Sequence, residues 1–208
     1  MDPKAVEQAK IKLAKAERAL ENLKAADDYP QAEEAWVDFL MAASTLYSKL
    51  EQGAKSVGMS EAWFGRKKHE RRKDPLLRYI HYARNSEEHG LNRGVARKPG
   101  MRSARGLKLR FGQRDPWTVR AINKQTGLPE GEPVTAFQEG PSIRLVRVFD
   151  SRFGDYCDPP KEHFERPLHS SGFIPTDVGT FALTYLKSLV IEAEALVAES
   201  APSKDIAV

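Results

Sequence analysis

The sequence predicts a mainly α fold, a bundle of about five helices with a small antiparallel β insertion between helices four and five. Two observations carry this. Apolar residues recur at three- and four-residue spacing through the first ninety or so positions and again near the C-terminal end. Between them, from about residue 107 to 149, the pattern switches to alternation punctuated by Gly and Pro. The 208 residues are enough for one sizeable core. One domain is expected over 1–208, with the β insertion at 105–150 and a frayed tail at 200–208.

Each helix has its own signals. Over residues 3–26, Ala5, Ala9, Leu13, Ala16, Leu20 and Leu23 form a slim apolar face suited to close approach. Asp27, Asp28, Tyr29 and Pro30 stop this helix, and Asp28 or Pro30 can start the next. The second runs over 30–52 with a wide stripe of Trp36, Phe39, Leu40, Ala43, Leu46, Tyr47 and Leu50, making an antiparallel hairpin with the first. After a break at 53–58, Ser60 opens a third helix. Its Trp63 and Phe64 are expected to face inward, and Arg66, Lys67, Lys68, Arg71, Arg72 and Lys73 outward. Asp74 and Pro75 then supply an acid N-cap and a first-turn proline for a fourth helix that ends near His89 before Gly90.

Residues 92–105 are rich in Gly and Arg and read as a mobile loop. Strands are expected at 107–111, 117–122, 134–137 and 143–149, in one small antiparallel sheet. Residues 152–177 read as irregular. A last helix over 176–199 restores the apolar stripe through Val178, Phe181, Tyr185, Leu189, Ala193 and Val197.

Composition narrows the function classes. Forty per cent hydrophobic and 30% charged residues describe a soluble globular chain. No apolar run has the length of a membrane span, and the first residues lack a signal-peptide core, so a cytoplasmic protein without a membrane partner is expected. Cys157 is alone, which excludes a disulfide framework and a thiolate metal cluster. The net charge of +4 hides an asymmetry: residues 66–110 hold fifteen Lys/Arg against four acids. Such a block suits a polyanion.

Chemistry concentrates at the end of the fourth helix, in Arg84-Asn85-Ser86-Glu87-Glu88-His89. No other Arg in the chain has a His five positions on. At about 100° per residue, Arg78, Tyr82, Asn85 and His89 share a polar stripe, and Leu76, Ile80 and Ala83 a buried one. Arg84 sits beside Leu77, His81 and Glu88. The step from Arg84 to His89 turns roughly 140°, so one copy makes an incomplete site and a second copy across a symmetry axis is expected. A histidine near neutrality can take a proton from a ribose 2′-hydroxyl or give one to a leaving 5′-oxygen. An arginine can hold the phosphate as negative charge builds on it. Asn85 can orient the imidazole or bond a phosphate oxygen. No metal or other cofactor is required.

This Arg-Asn-x-x-x-His arrangement resembles the signature of the HEPN superfamily (higher eukaryotes and prokaryotes nucleotide-binding). These are α-helical domains that include many metal-independent ribonucleases of toxin–antitoxin systems and antiviral defence. The resemblance covers roughly 1–91 and 176–199, with the β insertion outside the common core. It implies Arg84 and His89 as the two defining catalytic positions, with Asn85 beside them. It further implies RNA as partner and substrate, a homodimer with two motifs lining one cleft, and an antitoxin or inhibitor partner. Some toxin members carry a modifiable tyrosine two places after the histidine. Leu91 stands there in this chain. Arg66, Lys67, Lys68, Arg71, Arg72, Lys73, Arg78 and Tyr82 are the expected RNA-binding surface. A non-catalytic RNA- or nucleotide-binding module is the alternative, and a structural protein with an acidic partner a third.

Other candidates are weaker. His69, His81, His89, His163 and His169 show no metal-ligand spacing. His81 can add to the cleft, and His163 in its Pro-rich loop can reach a site from outside the bundle. Asp155 and Asp158 flank Cys157 as an acidic turn. Trp117, Arg120, Phe137, Arg144 and Arg147 mix aromatic and basic character on the strands, as single-stranded RNA readers do, although Trp117 and Phe137 equally suit a core.

Overall fold

The computed structural model describes residues 1–89, 93–97, 117–123, 125–136, 143–151, 154–168 and 174–200. Five helices form the body: α1 (Pro3–Ala25), α2 (Tyr29–Ala54), α3 (Gly58–Lys73), α4 (Pro75–His89) and α5 (Pro175–Ser200). None of them is long and apolar enough to cross a membrane. The caps follow the sequence signals. Asp2 accepts from the Lys4 N–H at 2.8 Å, Asp28 from Gln31 N–H at 2.8 Å, and Asp74 from Leu77 N–H at 2.9 Å. Each satisfies one of the donors a helix start leaves open. The third helix departs from expectation, beginning at Gly58 with no side-chain cap and with Ser60 fully buried.

Helices α1 and α2 pack as the expected antiparallel hairpin, through Ala9, Ala16 and Ala19 on one side and Trp36, Phe39 and Leu40 on the other, all buried. At the open end Gly53 is required, because a Cβ there would lie 2.3 Å from the Ala5 Cβ. Helix α5 returns along α1, clamped by Lys10–Glu194 at 2.5 Å and Lys187–Glu17 at 2.8 Å. Of its stripe, Val178, Leu189 and Ala193 are buried, but Phe181 is 44% exposed and stands beside His163.

The β insertion is antiparallel, but it forms four separate two-stranded ladders among the described residues, not one sheet. They are β1 (Val95–Arg97) with β4 (Ile143–Leu145), and β2 (Trp117–Ile122) with β3 (Pro129–Ala136). Then come β5 (Val148–Asp150) with β6 (Asp155–Cys157), and β7 (Glu162–His163) with β8 (Arg166–Pro167). The strands span residues 95–167, wider than the 105–150 expected. Most are only two or three residues long, and prolines at 159, 160 and 167 remove ladder donors, so no sheet propagates. The expected 107–111 strand, Phe137 and the tail after residue 200 lie outside the described residues.

Strand β1 lies in the segment read as a loop. Its Val95 pairs with Leu145 and both are buried, so a short in–out alternation had been hidden by the Gly and Arg around it. Tyr79 on α4 fixes this ladder to the bundle. Its ring is fully buried, and its hydroxyl reaches the Val146 carbonyl at 2.8 Å and the Gly94 carbonyl at 3.2 Å. Between 152 and 177, read as irregular, lie β6, β7, β8 and the start of α5.

Candidate functional site

Helix α4 is braced at both ends by buried carboxylates. At its start, Asp74 caps the helix and also accepts from His163 Nδ1 at 2.9 Å and from the Phe164 N–H at 2.6 Å. Burial pushes this carboxyl up, but the bonds from His163, Phe164 and Leu77 more than offset it, so Asp74 ionises below the usual carboxylate range. The hairpin that delivers His163 turns through Phe164 and Glu165, both at positive φ (46° and 62°), a conformation that costs L-residues energy. His163 therefore reaches the bundle as a clasp on the start of α4.

Near the other end the carboxylate is Asp150, the last residue of β5 and 1% exposed. It accepts from Asn85 Nδ2 at 2.6 Å. Asn85 in turn accepts from Arg84 Nη1 at 3.1 Å, and Arg84 Nη2 pairs with Glu88. The chain Asp150–Asn85–Arg84–Glu88 fixes one face of the guanidinium. Asn85 is 6% exposed, so its stripe is covered by the β5–β6 hairpin and is not open along its whole length.

Arg84 looks away from that hairpin, into a pocket between α2, α4 and α5. Leu40, Ala43, Leu77, Ile80, Ala182 and Leu186 form the apolar wall, and Ser44, Tyr47, Arg71, His81 and Arg84 the polar part. The pocket encloses about 380 Å³ to its open mouth, at the low end for a small-molecule site. Arg71 lies over the Tyr47 ring with its guanidinium carbon 4.7 Å from the centroid. Arg84 Nε is buried with no hydrogen-bond partner. The Tyr47 hydroxyl also lacks one: it neighbours the Tyr185 hydroxyl closely enough to affect its ionisation, but Tyr185 donates to Glu70 at 2.8 Å. Two guanidinium groups and an imidazole thus share one concave surface. No known family model matches the chain, and no curated protein or solved structure matches it either.

The structure sorts the expected residues. Arg66, Arg72, Lys73 and Arg78 are exposed as anticipated. Lys67 is drawn inward instead, its side chain 12% exposed between Glu70 at 3.3 Å and Glu192 at 3.0 Å. The same Glu192 accepts from Trp63 Nε1 at 2.7 Å, so an acid on α5 organises the inner edge of α3. Lys68 pairs with Glu51 at 2.8 Å, and Arg71 joins the pocket. Tyr82 is half-buried. His89 ends α4, and its side chain lies outside the described residues, as do Leu91 and His169. His81 shares the pocket with Arg84, while His69 is exposed on α3.

Among the described residues no group of His, Cys, Asp and Glu is arranged to hold a metal ion. The acidic turn is not free-standing, since Arg147 grips Asp158 through two bonds of 2.6 and 2.9 Å and holds its carboxyl below the usual range. Cys157 is buried, which pushes its thiol up and leaves it a poor nucleophile. Arg144 is exposed; the side chains of Trp117 and Arg120 lie outside the described residues.

Asp150 is the site residue that reading the sequence missed. Its signal was present: carrying the alternation of Val148 and Phe149 one position further puts a carboxylate on the buried face. Buried carboxylates require partners, and Asn85 was the polar group on the facing helix.

Proposed function

We propose that this chain is a metal-independent endoribonuclease that cleaves single-stranded RNA as a homodimer. Arg84 is the phosphate clamp and His89 the general acid/base. Asn85 is a positioning residue, since its amide joins Arg84 to Asp150. The observation that carries the reading is the state of Arg84. Its guanidinium is anchored on one side, bears a buried Nε with no partner, and shares a pocket with Arg71 and His81. A cation held this way needs no reorganisation when charge develops on a phosphate.

In the reaction the ribose 2′-oxygen attacks phosphorus and the P–O5′ bond breaks, leaving a 2′,3′-cyclic phosphate. One imidazole takes the 2′-hydroxyl proton and another gives a proton to the departing 5′-oxygen. Two copies of His89, one from each protomer, fill the two roles. Arg66, Arg72 and Lys73 supply the exposed charge that draws in the strand.

One observation favours a second reading, a module that binds RNA without cutting it: both amino nitrogens of Arg84 are already engaged, by Asn85 and Glu88. The test is incubation of purified protein with single-stranded RNA in EDTA. New ends that depend on Arg84 and His89 support the ribonuclease, whereas salt-sensitive binding without new ends supports the module.

A further inference from the structure

The β5–β6 hairpin does two things at once. Its inward residues, Val148, Asp150 and Cys157, are buried against α4, and Asp150 braces Asn85. Its outward residues are Phe149 and Tyr156, directly opposite in the ladder. Their ring centroids are 4.8 Å apart at 47°, and Tyr156 is 59% exposed. The Arg147 guanidinium stands 5.8 Å from the Tyr156 centroid, held there by Asp158. Tyr82 and Arg78, on the α4 stripe that continues to Asn85 and His89, border the hairpin at Asp155. From Tyr82 to His89 the helix rises about 10 Å.

An exposed pair of rings is what a folded chain normally avoids, so it calls for an occupant. This one is two rings wide and rimmed by Arg78, Arg147, Asp155 and Asp158, too small and too charged at its edge for a stable protein-docking face. A planar, polar-edged group that stacks fits it.

We propose that Phe149 and Tyr156 form a stacking platform for an unpaired base of single-stranded RNA, next to the Arg84 site. The inference rests on the RNA reading above for the identity of the polymer, and it restricts the substrate to strands with an unstacked base beside the scissile phosphate. A base inside a duplex cannot reach the platform. Because Asp158 already satisfies Arg147, the platform contributes stacking and not phosphate neutralisation. Its removal therefore weakens binding without changing the salt dependence.

The test uses a 2′-O-methyl RNA 12-mer, which lacks the attacking hydroxyl and so reports binding without chemistry. Fluorescence anisotropy over a salt series is expected to show Tyr156→Ala raising Kd about tenfold with an unchanged slope of log K against log salt. Tyr156→Phe, which keeps the ring, is expected to bind within twofold of wild type, and the same 12-mer in a duplex to bind more weakly than the single strand. Absence of binding by wild type, Tyr156→Ala binding like wild type, or a Tyr156→Ala defect that tracks loss of a dimer would each overturn the platform. Cleavage that survives Arg84→Ala and His89→Ala would count against the ribonuclease alone.

Discussion

The two ends of α4 are built from the same parts and left in opposite states. Each has a buried aspartate that receives hydrogen bonds between the helix and the β insertion. At the N-terminal end Asp74 is saturated: it takes bonds from Leu77, Phe164 and His163, and aromatic rings close over the histidine. Toward the C-terminal end Asp150 holds Asn85, but the chain of bonds runs on to a guanidinium with a buried, unpartnered nitrogen beside an open pocket. Saturated polar clusters specify a fold, while a cluster with one donor left over is ready for a ligand. On this reading the same device serves architecture at one end and chemistry at the other.

The comparison is broken most severely by exchanging the effects. Arg84→Ala is expected to lower RNA cleavage at least about a hundredfold while costing only about 1 kcal/mol of stability, seen by pairing a cleavage assay with urea denaturation. Asp74→Ala should do the reverse. Loss of an N-cap and of two further buried hydrogen bonds costs about 3 kcal/mol, with activity per folded molecule unchanged. If Asp74→Ala abolishes activity in protein that remains folded, the division of labour between the ends is wrong.

Asp150→Ala lies between them. It strands the Asn85 amide, at a cost of about 1–3 kcal/mol, and frees Arg84 to move, so stability and activity fall together. The carboxamide of Asp150→Asn retains an acceptor and is expected to recover most of the stability.

A smaller effect concerns pH. Asp74 ionises below the usual carboxylate range when folded, so its contribution is fully present above its unfolded value and is lost as pH falls through the folded one. Wild-type stability should therefore drop more steeply below about pH 4 than that of Asp74→Asn, measured as urea midpoints. The smallest effect is at Glu88, whose carboxylate occupies the guanidinium that a phosphate must reach. Glu88→Gln is expected to tighten binding of the non-cleavable strand by a few-fold, with little change in stability because the pair is partly exposed.

Much of the bundle was legible in the sequence because its signals are local. Asp2, Asp28 and Asp74 announce helix starts, and the stripes of α1, α2 and α5 repeat often enough to fix their inner faces. Local signals also place Arg84 on the His81 and Glu88 side of α4. What escaped was long-range pairing. Nothing near Val95 announces Leu145, nothing near Lys67 announces Glu192, and Asn85 finds Asp150 across sixty-five residues. The β insertion suffered most, since two- and three-residue strands carry too few alternations to declare a partner. His163 illustrates the limit: its Pro-rich surroundings said loop, while its role as a clasp depends on an aspartate already serving as a cap.

The central claim is that Arg84 and His89 cut RNA without a metal. The direct measurement is the chemistry of the ends produced from a single-stranded RNA in EDTA by wild type, Arg84→Ala and His89→Ala. The account predicts 2′,3′-cyclic phosphate ends from wild type and none from either variant. Cyclic-phosphate ends at wild-type yield from His89→Ala would contradict it.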